Sequence, residues 1–133
     1  MCIFCDIINN QINSYKIYED DIVVAILDIA QVTTGHCLVI PKEHYSNIFE
    51  LPDHVSSHIF KVVTHISKML KEKLNFTDLN LLNNNGPLAE QTVNHFHIHI
   101  IPQYLNENVS FFHLSKEPDF TKLENLYNKI VSK

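Results

Sequence analysis

The sequence predicts an α+β domain built on a mainly antiparallel five-stranded sheet. Short apolar runs bounded by turn residues cluster before one long amphipathic stretch and resume after it. Strands and helices therefore do not alternate as a parallel βαβ array requires. That stretch, residues 55–74, is the one helix pattern of real length. The chain has 133 residues, 45% of them hydrophobic, with no repeat or low-complexity tract, which is the size and composition of a single domain.

In chain order, Phe4 to Asn10 fits a short helix. Lys16 to Glu19 and Ile22 to Asp28 flank the turn Glu19-Asp20-Asp21 and read as two strands. Thr33-Thr34-Gly35 is a turn. His36 to Ile40 is a third strand, stopped by Pro41, which lacks the N–H a ladder needs. Ser46 to Pro52 is irregular. Between Val55 and Leu74, apolar residues (Val55, Ile59, Val62, Val63, Ile66, Met69, Leu70, Leu74) recur at helical spacing. Ser56, Lys61, Lys68, Lys71 and Lys73 lie largely opposite, and Asp53 or His54 after Pro52 suits the helix start. Asp78 to Leu82 is a fourth strand, followed by the turn-rich loop Asn83 to Pro87. Val93 to Ile101 is a fifth strand, stopped by Pro102. Asp119 to Val131 is a weaker amphipathic helix through Phe120, Leu123, Leu126, Tyr127 and Ile130. One domain spans residues 1–133, with its core at about 2–104 and a C-terminal extension at 105–133.

Charge narrows the partners. Fifteen acidic residues against ten basic leave a net charge of −5, so no basic face for nucleic acid or an anionic membrane is expected. All ten basic residues are Lys. A phosphate here would be held by backbone N–H groups, neutral side chains, His or Lys rather than by an Arg fork. The opening MCIFCDIINN has no basic region and is not a signal peptide. The apolar run Ile22 to Leu27 is far below the ~20 residues needed to span a bilayer. Three cysteines, Cys2, Cys5 and Cys37, form no disulfide scaffold, so a cytoplasmic location with reduced thiols is expected.

The other anomaly is nine histidines, three of them in Asn94 to Pro102, NHFHIHIIP. On a strand, His95, His97 and His99 would share one face and Phe96, Ile98 and Ile100 the other. The apolar face is ordinary core. The histidine face suits either of two chemistries: metal ligation, or nucleophilic attack by a neutral imidazole with its neighbours stabilising the charge. The preceding NNNGPLAEQT is rich in donors, which favours an anion cradle. Glu90 could instead be the base of a zinc hydrolase, so both readings stand.

The run NNNGPLAEQTVNHFHIHIIP resembles the signature of the histidine triad (HIT) superfamily, and IFCDIINNQI, AILDIAQVTTGH and GHCLVIPKEH agree with it. The resemblance is closest to the small branch that hydrolyses nucleoside phosphoramidates, with Fhit-like dinucleoside polyphosphate hydrolases a near second. It implies a dimeric HIT fold and a purine nucleotide substrate cleaved at the α-phosphate to release the nucleoside monophosphate. His97 would be the nucleophile, His99 would contact the phosphate oxygens, His36 would help hold the phosphate or the proton, and Gln91 and Thr92 would contact phosphate and leaving group. Asn84 would stand on the phosphate side, Asp28 would accept the ribose hydroxyls, and Ile3, Phe4, Ile7, Ile12 and Ile29 would form the base slot. It also implies a structural zinc on Cys2, Cys5, His44 and His95. One departure stands out: the family loop usually reads A-G-Q, and here it is Ala89-Glu90-Gln91. Glu90 either brings a charge to the phosphate loop or points to solvent. A nucleotide-binding module with vestigial turnover is the alternative from another class. His54, His58 and His65 are expected on the surface of the long helix, Cys37 in the core, His113 in the tail, and Phe111 and Phe112 against a partner subunit.

Overall fold

The computed structural model describes residues 2–111 and 116–133. Helix α1 (Ile3–Ile8) is capped by Cys2, whose sulfur accepts the Cys5 N–H. Strands β1 (Lys16–Glu19) and β2 (Val23–Leu27) form the expected hairpin. Asp20 builds its turn: one carboxylate oxygen accepts the N–H of Ile22 at 2.7 Å and of Val23 at 2.8 Å. Strand β3 (Cys37–Pro41), helix α2 (Asp53–Leu74), strands β4 (Asp78–Leu82) and β5 (Ile98–Gln103) and helix α3 (Phe120–Val131) follow. The sheet order is β1-β2-β3-β5-β4, antiparallel at every pair. β5 thus inserts between β3 and β4, which α2 connects. Asn75, left-handed at φ 57°, ends α2, a conformation Asn tolerates well.

The two faces of the sheet are covered unequally. Val23, Ala25, Cys37, Val39, Ile98 and Ile100 pack under Val62, Val63, Ile66 and Leu70 of α2. On the other face Val24, Ile26, Leu38 and Ile40 pack under Phe4 and Ile7 of α1. Each fully buried side chain of this kind contributes about 1.5–3 kcal/mol. α1 has only six residues, and the histidines lie beyond it on its own face of the sheet.

Several expectations need correction. β5 begins five residues later than expected and runs through Pro102 rather than stopping before it. Upstream, the Phe96 N–H goes to the Tyr45 carbonyl at 2.6 Å, outside the ladder. Downstream, β3 pairs with β5 only from Ile98 to Ile100, so no neighbour on that side requires an N–H from Pro102. His36 lies just before β3, its N–H turned back to Thr33. His58 is half-buried rather than a plain surface residue: it bonds Asp20 at 2.7 Å, beside the Tyr18 hydroxyl on the same carboxylate oxygen. His54 and His65 are exposed and Cys37 is buried. α3 buries none of its apolar residues. Phe111 is exposed, and Phe112 and His113 lie outside the described residues.

Candidate active site

Of the histidine row only His99 lies within β5, yet the alternation survives in the extended segment before it. Phe96, Ile98 and Ile100 enter the α2 core. The three imidazoles turn the other way, with His97 and His99 ring centres 4.9 Å apart and Phe4 edge-on to His97 at 5.0 Å. His95 and His97 are buried.

The partner of each ring decides where its single proton sits. The His95 Nε2 faces the Pro41 carbonyl at 2.8 Å, and a carbonyl only accepts, so Nε2 carries the hydrogen and Nδ1 keeps its lone pair. The His97 Nδ1 faces the His95 carbonyl at 2.7 Å, which leaves Nε2 with the lone pair. The Asn83 amide in turn holds the His97 carbonyl at 2.8 Å. The His36 Nε2 lies 2.9 Å from the His99 Nδ1.

Burial also keeps these rings neutral. Desolvation lowers the pKa of His36, His95 and His97, and lowers that of His99 to about 4. An unprotonated His97 is what nucleophilic attack requires.

Asp28 lies on the turn before His36. One of its oxygens accepts the Ala30 N–H at 2.8 Å, and the other is 3.6 Å from the His36 Nε2, too far for a hydrogen bond. Of the expected base slot, Phe4 and Ile7 are buried in the core, while Ile3, Ile12 and Ile29 are exposed.

The loop at 83–92 is less open to an anion than its composition suggests. The N–H groups of Ala89 and Gln91 go to the Gly86 carbonyl and that of Glu90 to Pro87, each at 3.1 Å. The Gln91 side chain is committed to Gly86, Ser46 and Val93. Asn84 reaches the Glu90 carbonyl at 3.5 Å. Thr92 is exposed and, among the described residues, has no hydrogen-bond partner for its hydroxyl or N–H. Glu90 adopts φ 66°, forms no ion pair among the described residues, and is exposed.

The sulfurs of Cys2 and Cys5 converge with His44 and His95. Cys2 Sγ is 3.3 Å and Cys5 Sγ 3.6 Å from the His95 Nδ1. Cys5 Sγ is 3.4 Å from the His44 Nδ1, and the two Nδ1 atoms are 3.1 Å apart. Tetrahedral zinc would need roughly 3.3 Å between nitrogens and about 3.6 Å between sulfur and nitrogen, so this donor set fits. Burial and the neighbouring Cys2 push the Cys5 thiol up to about 11 in the absence of a cation. Asp28, His36 and His99 also converge, but the His36 Nδ1 accepts the Val32 N–H at 3.2 Å. Neutral His36 then carries its proton on Nε2, the atom a cation would need, so this second group suits proton handling better than metal.

Sequence reasoning passed over Asn83 and Gln31. Asn83 stood out only as one of three consecutive Asn residues. Gln31, in a turn, gave no signal.

A HIT domain model matches residues 9–106. The chain is 50% identical over 103 residues to the protein hit of Bacillus subtilis, covering 77% of this chain and 71% of that protein. It is 34% identical over 133 residues to adenosine 5'-monophosphoramidase of Saccharomyces cerevisiae, covering 99% and 82%. The crystal structure of a HIT family protein from Bacillus anthracis superimposes with TM-score 0.90 at 48% identity, covering 97% and 94%. A zinc-bound histidine triad family protein from Mycobacterium smegmatis does so with TM-score 0.78 at 32% identity, covering 96% and 91%. With a five-stranded antiparallel sheet, four converging histidines and these relatives, the chain belongs to the HIT family.

Proposed function

We propose that this chain hydrolyses, or transfers, at the α-phosphate of a nucleotide conjugate through a covalent nucleotidyl-His97. One observation carries the reading: the His95 carbonyl accepts the Nδ1–H of His97, leaving a lone pair on Nε2 of a buried, neutral imidazole. That lone pair attacks the α-phosphorus. An N–P bond forms, the bond to the leaving group breaks with its electron pair, and the leaving group takes a proton from solvent, which the attacking water of the second step returns. Water then attacks phosphorus, the N–P bond breaks, and the nucleoside monophosphate departs with His97 restored. His99 and Thr92 donate to the phosphate oxygens. Asn84 and Gln91 shape the loop on the phosphate side. Asp28 accepts the ribose hydroxyls, and Ile3, Ile12 and Ile29, above Phe4 and Ile7, flank the base. Purine nucleoside phosphoramidates are the favoured substrates, in keeping with the yeast relative's name, and dinucleoside polyphosphates are the second class.

Cys2, Cys5, His44 and His95 would hold zinc in a closed four-ligand site. Bound there, zinc would stabilise and orient rather than act as a Lewis acid, since no position remains for water. The reading in which the whole row ligates a catalytic zinc is disfavoured, because His97 and His99 hydrogen-bond away from the cysteine pair. A homodimer suits the exposed edge strand β4 and the apolar groove lined by Ile48, Leu51, Phe60, Leu81 and Phe96. No described helix is long and apolar enough to cross a membrane, and a reducing cytoplasm suits thiol ligands.

The second reading, a nucleotide-binding module with little turnover, draws on Glu90, which is exposed on the loop at 83–92 and forms no ion pair among the described residues. Rapid quench and mass spectrometry separate the two: an NMP adduct on the peptide containing His97 supports the enzyme. An adduct elsewhere, or near-normal turnover in His97→Ala, refutes the assigned chemistry. Binding without turnover supports the module.

A further inference from the structure

The turn from Asp28 to His36 is held by a side chain that none of the chemistry above uses. Gln31 is exposed, where an amide would ordinarily bond water, yet its amide is spent on the turn itself. Its Nε2 donates to the carbonyls of Asp28 and, at 2.7 Å, His36, and its Oε1 accepts the Gly35 N–H at 2.8 Å. These bonds tie the two ends of the turn together. Inside it, the Val32 N–H reaches the His36 Nδ1 at 3.2 Å.

That contact favours a proton on the far nitrogen, against the Ala30 carbonyl, which also lies in hydrogen-bonding range of the ring. A neutral imidazole accepting at Nδ1 keeps its hydrogen on Nε2. The His36 Nε2 is 2.9 Å from the His99 Nδ1 and 3.6 Å from the Asp28 carboxylate, so it donates to His99. His99, accepting at Nδ1, must carry its own hydrogen on Nε2. Asp28 lies in the same group, its carboxylate 3.6 Å from the same His36 Nε2.

We propose that Gln31 and His36 are positioning residues that hold His99 in the Nε2–H tautomer, presenting a donor rather than a lone pair to the phosphate. The kinetic consequence rests on the nucleotidyl-transfer reading above. The tautomer itself does not.

The test uses the full chain labelled with 15N-histidine, zinc-loaded as purified. Long-range 15N–1H correlation at pH 7.5 should show His99 protonated on Nε2 in the wild type. His36→Gln keeps an N–H donor and should preserve that tautomer. His36→Glu offers only acceptors and should move the proton to Nδ1. Gln31→Leu should leave His99 in a mixture. With an adenosine phosphoramidate, His36→Glu should lose on the order of 10²-fold in kcat, the cost of one lost transition-state donor. His36→Gln should stay within about tenfold, and Gln31→Leu should fall by about tenfold, with KM changing less than kcat in each case. Circular dichroism and zinc content confirm that each variant folds. The inference is overturned if His99 keeps its tautomer in both His36→Glu and Gln31→Leu, or if His36→Gln is as impaired as His36→Glu. Wild-type protein that turns over no nucleotide would sink the proposed function, while the NMR series would still decide the positioning role.

Discussion

Acidification probes the site through both activity and stability. Burial lowers the His99 pKa from 6.5 to about 4. At pH 6 an ordinary imidazole is about 75% protonated, whereas His99 would be about 1% protonated. Its neighbours His36 and His97 are lowered in the same direction by burial, so all three rings resist protonation. The acid limb of kcat/KM should therefore have its midpoint below the 6.5 of an ordinary imidazole. Stability moves with the same sign. Below about pH 6.5 the unfolded chain takes up a proton that folded His99 refuses, so stability is complete above that pH and is lost as the pH falls toward 4. Linkage gives about 2 kcal/mol lost by pH 5, and partial exposure of the ring trims this toward about 1 kcal/mol. Urea denaturation at pH 7.5, 6 and 5, with zinc content checked at each, should show the loss. His99→Asn should make the dependence shallower by about that amount. An acid limb centred at 6.5 or above, or identical pH dependence in His99→Asn, would refute the burial argument.

Glu90→Gly removes a side chain from a left-handed position and a negative charge from the loop proposed to hold phosphate. KM for nucleotide substrates should fall, by a factor that shrinks with added salt, and unchanged kinetics at low salt would show that the carboxylate points to solvent. Cys5→Ser should lose zinc, about one ion per chain, together with several degrees of Tm, measured by metal analysis and thermal melts. Metal analysis of the purified protein showing no zinc, with Cys2 and Cys5 both titrating as free thiols, would remove the zinc site. His97→Ala should lose about 10⁴-fold or more in turnover while still binding nucleoside monophosphate, as calorimetry would show. Asp20→Ala strips the β1–β2 turn of its acceptors for Ile22, Val23, Tyr18 and His58. It should cost about 2–3 kcal/mol in urea denaturation, with no change in the His97 adduct.

Local residue patterns were enough for the elements and the chemistry on offer. Apolar spacing is local, so α2 could be read from Val55 to Leu74 and the hairpin from the residues around Asp20. The alternation of His95, His97 and His99 with Phe96, Ile98 and Ile100 is also local, and it sorted the imidazoles onto one face even though only the last of them entered a strand. Tertiary structure decided what alternation cannot express. Strand ends depend on whether a neighbour is present, and β3 pairs with β5 over only three residues, so Pro102 could stay in the strand and His97 had to remain outside it. The protonated nitrogen of each imidazole depends on one acceptor or donor far away in the chain: Pro41 for His95, and His36 for His99. Asn83, not Asn84, came to hold the His97 carbonyl, and Gln31 came to clasp the turn that presents His36. Hydrogen bonds at 2.7–2.9 Å are set by where the chain folds back, and residue spacing alone does not contain that information.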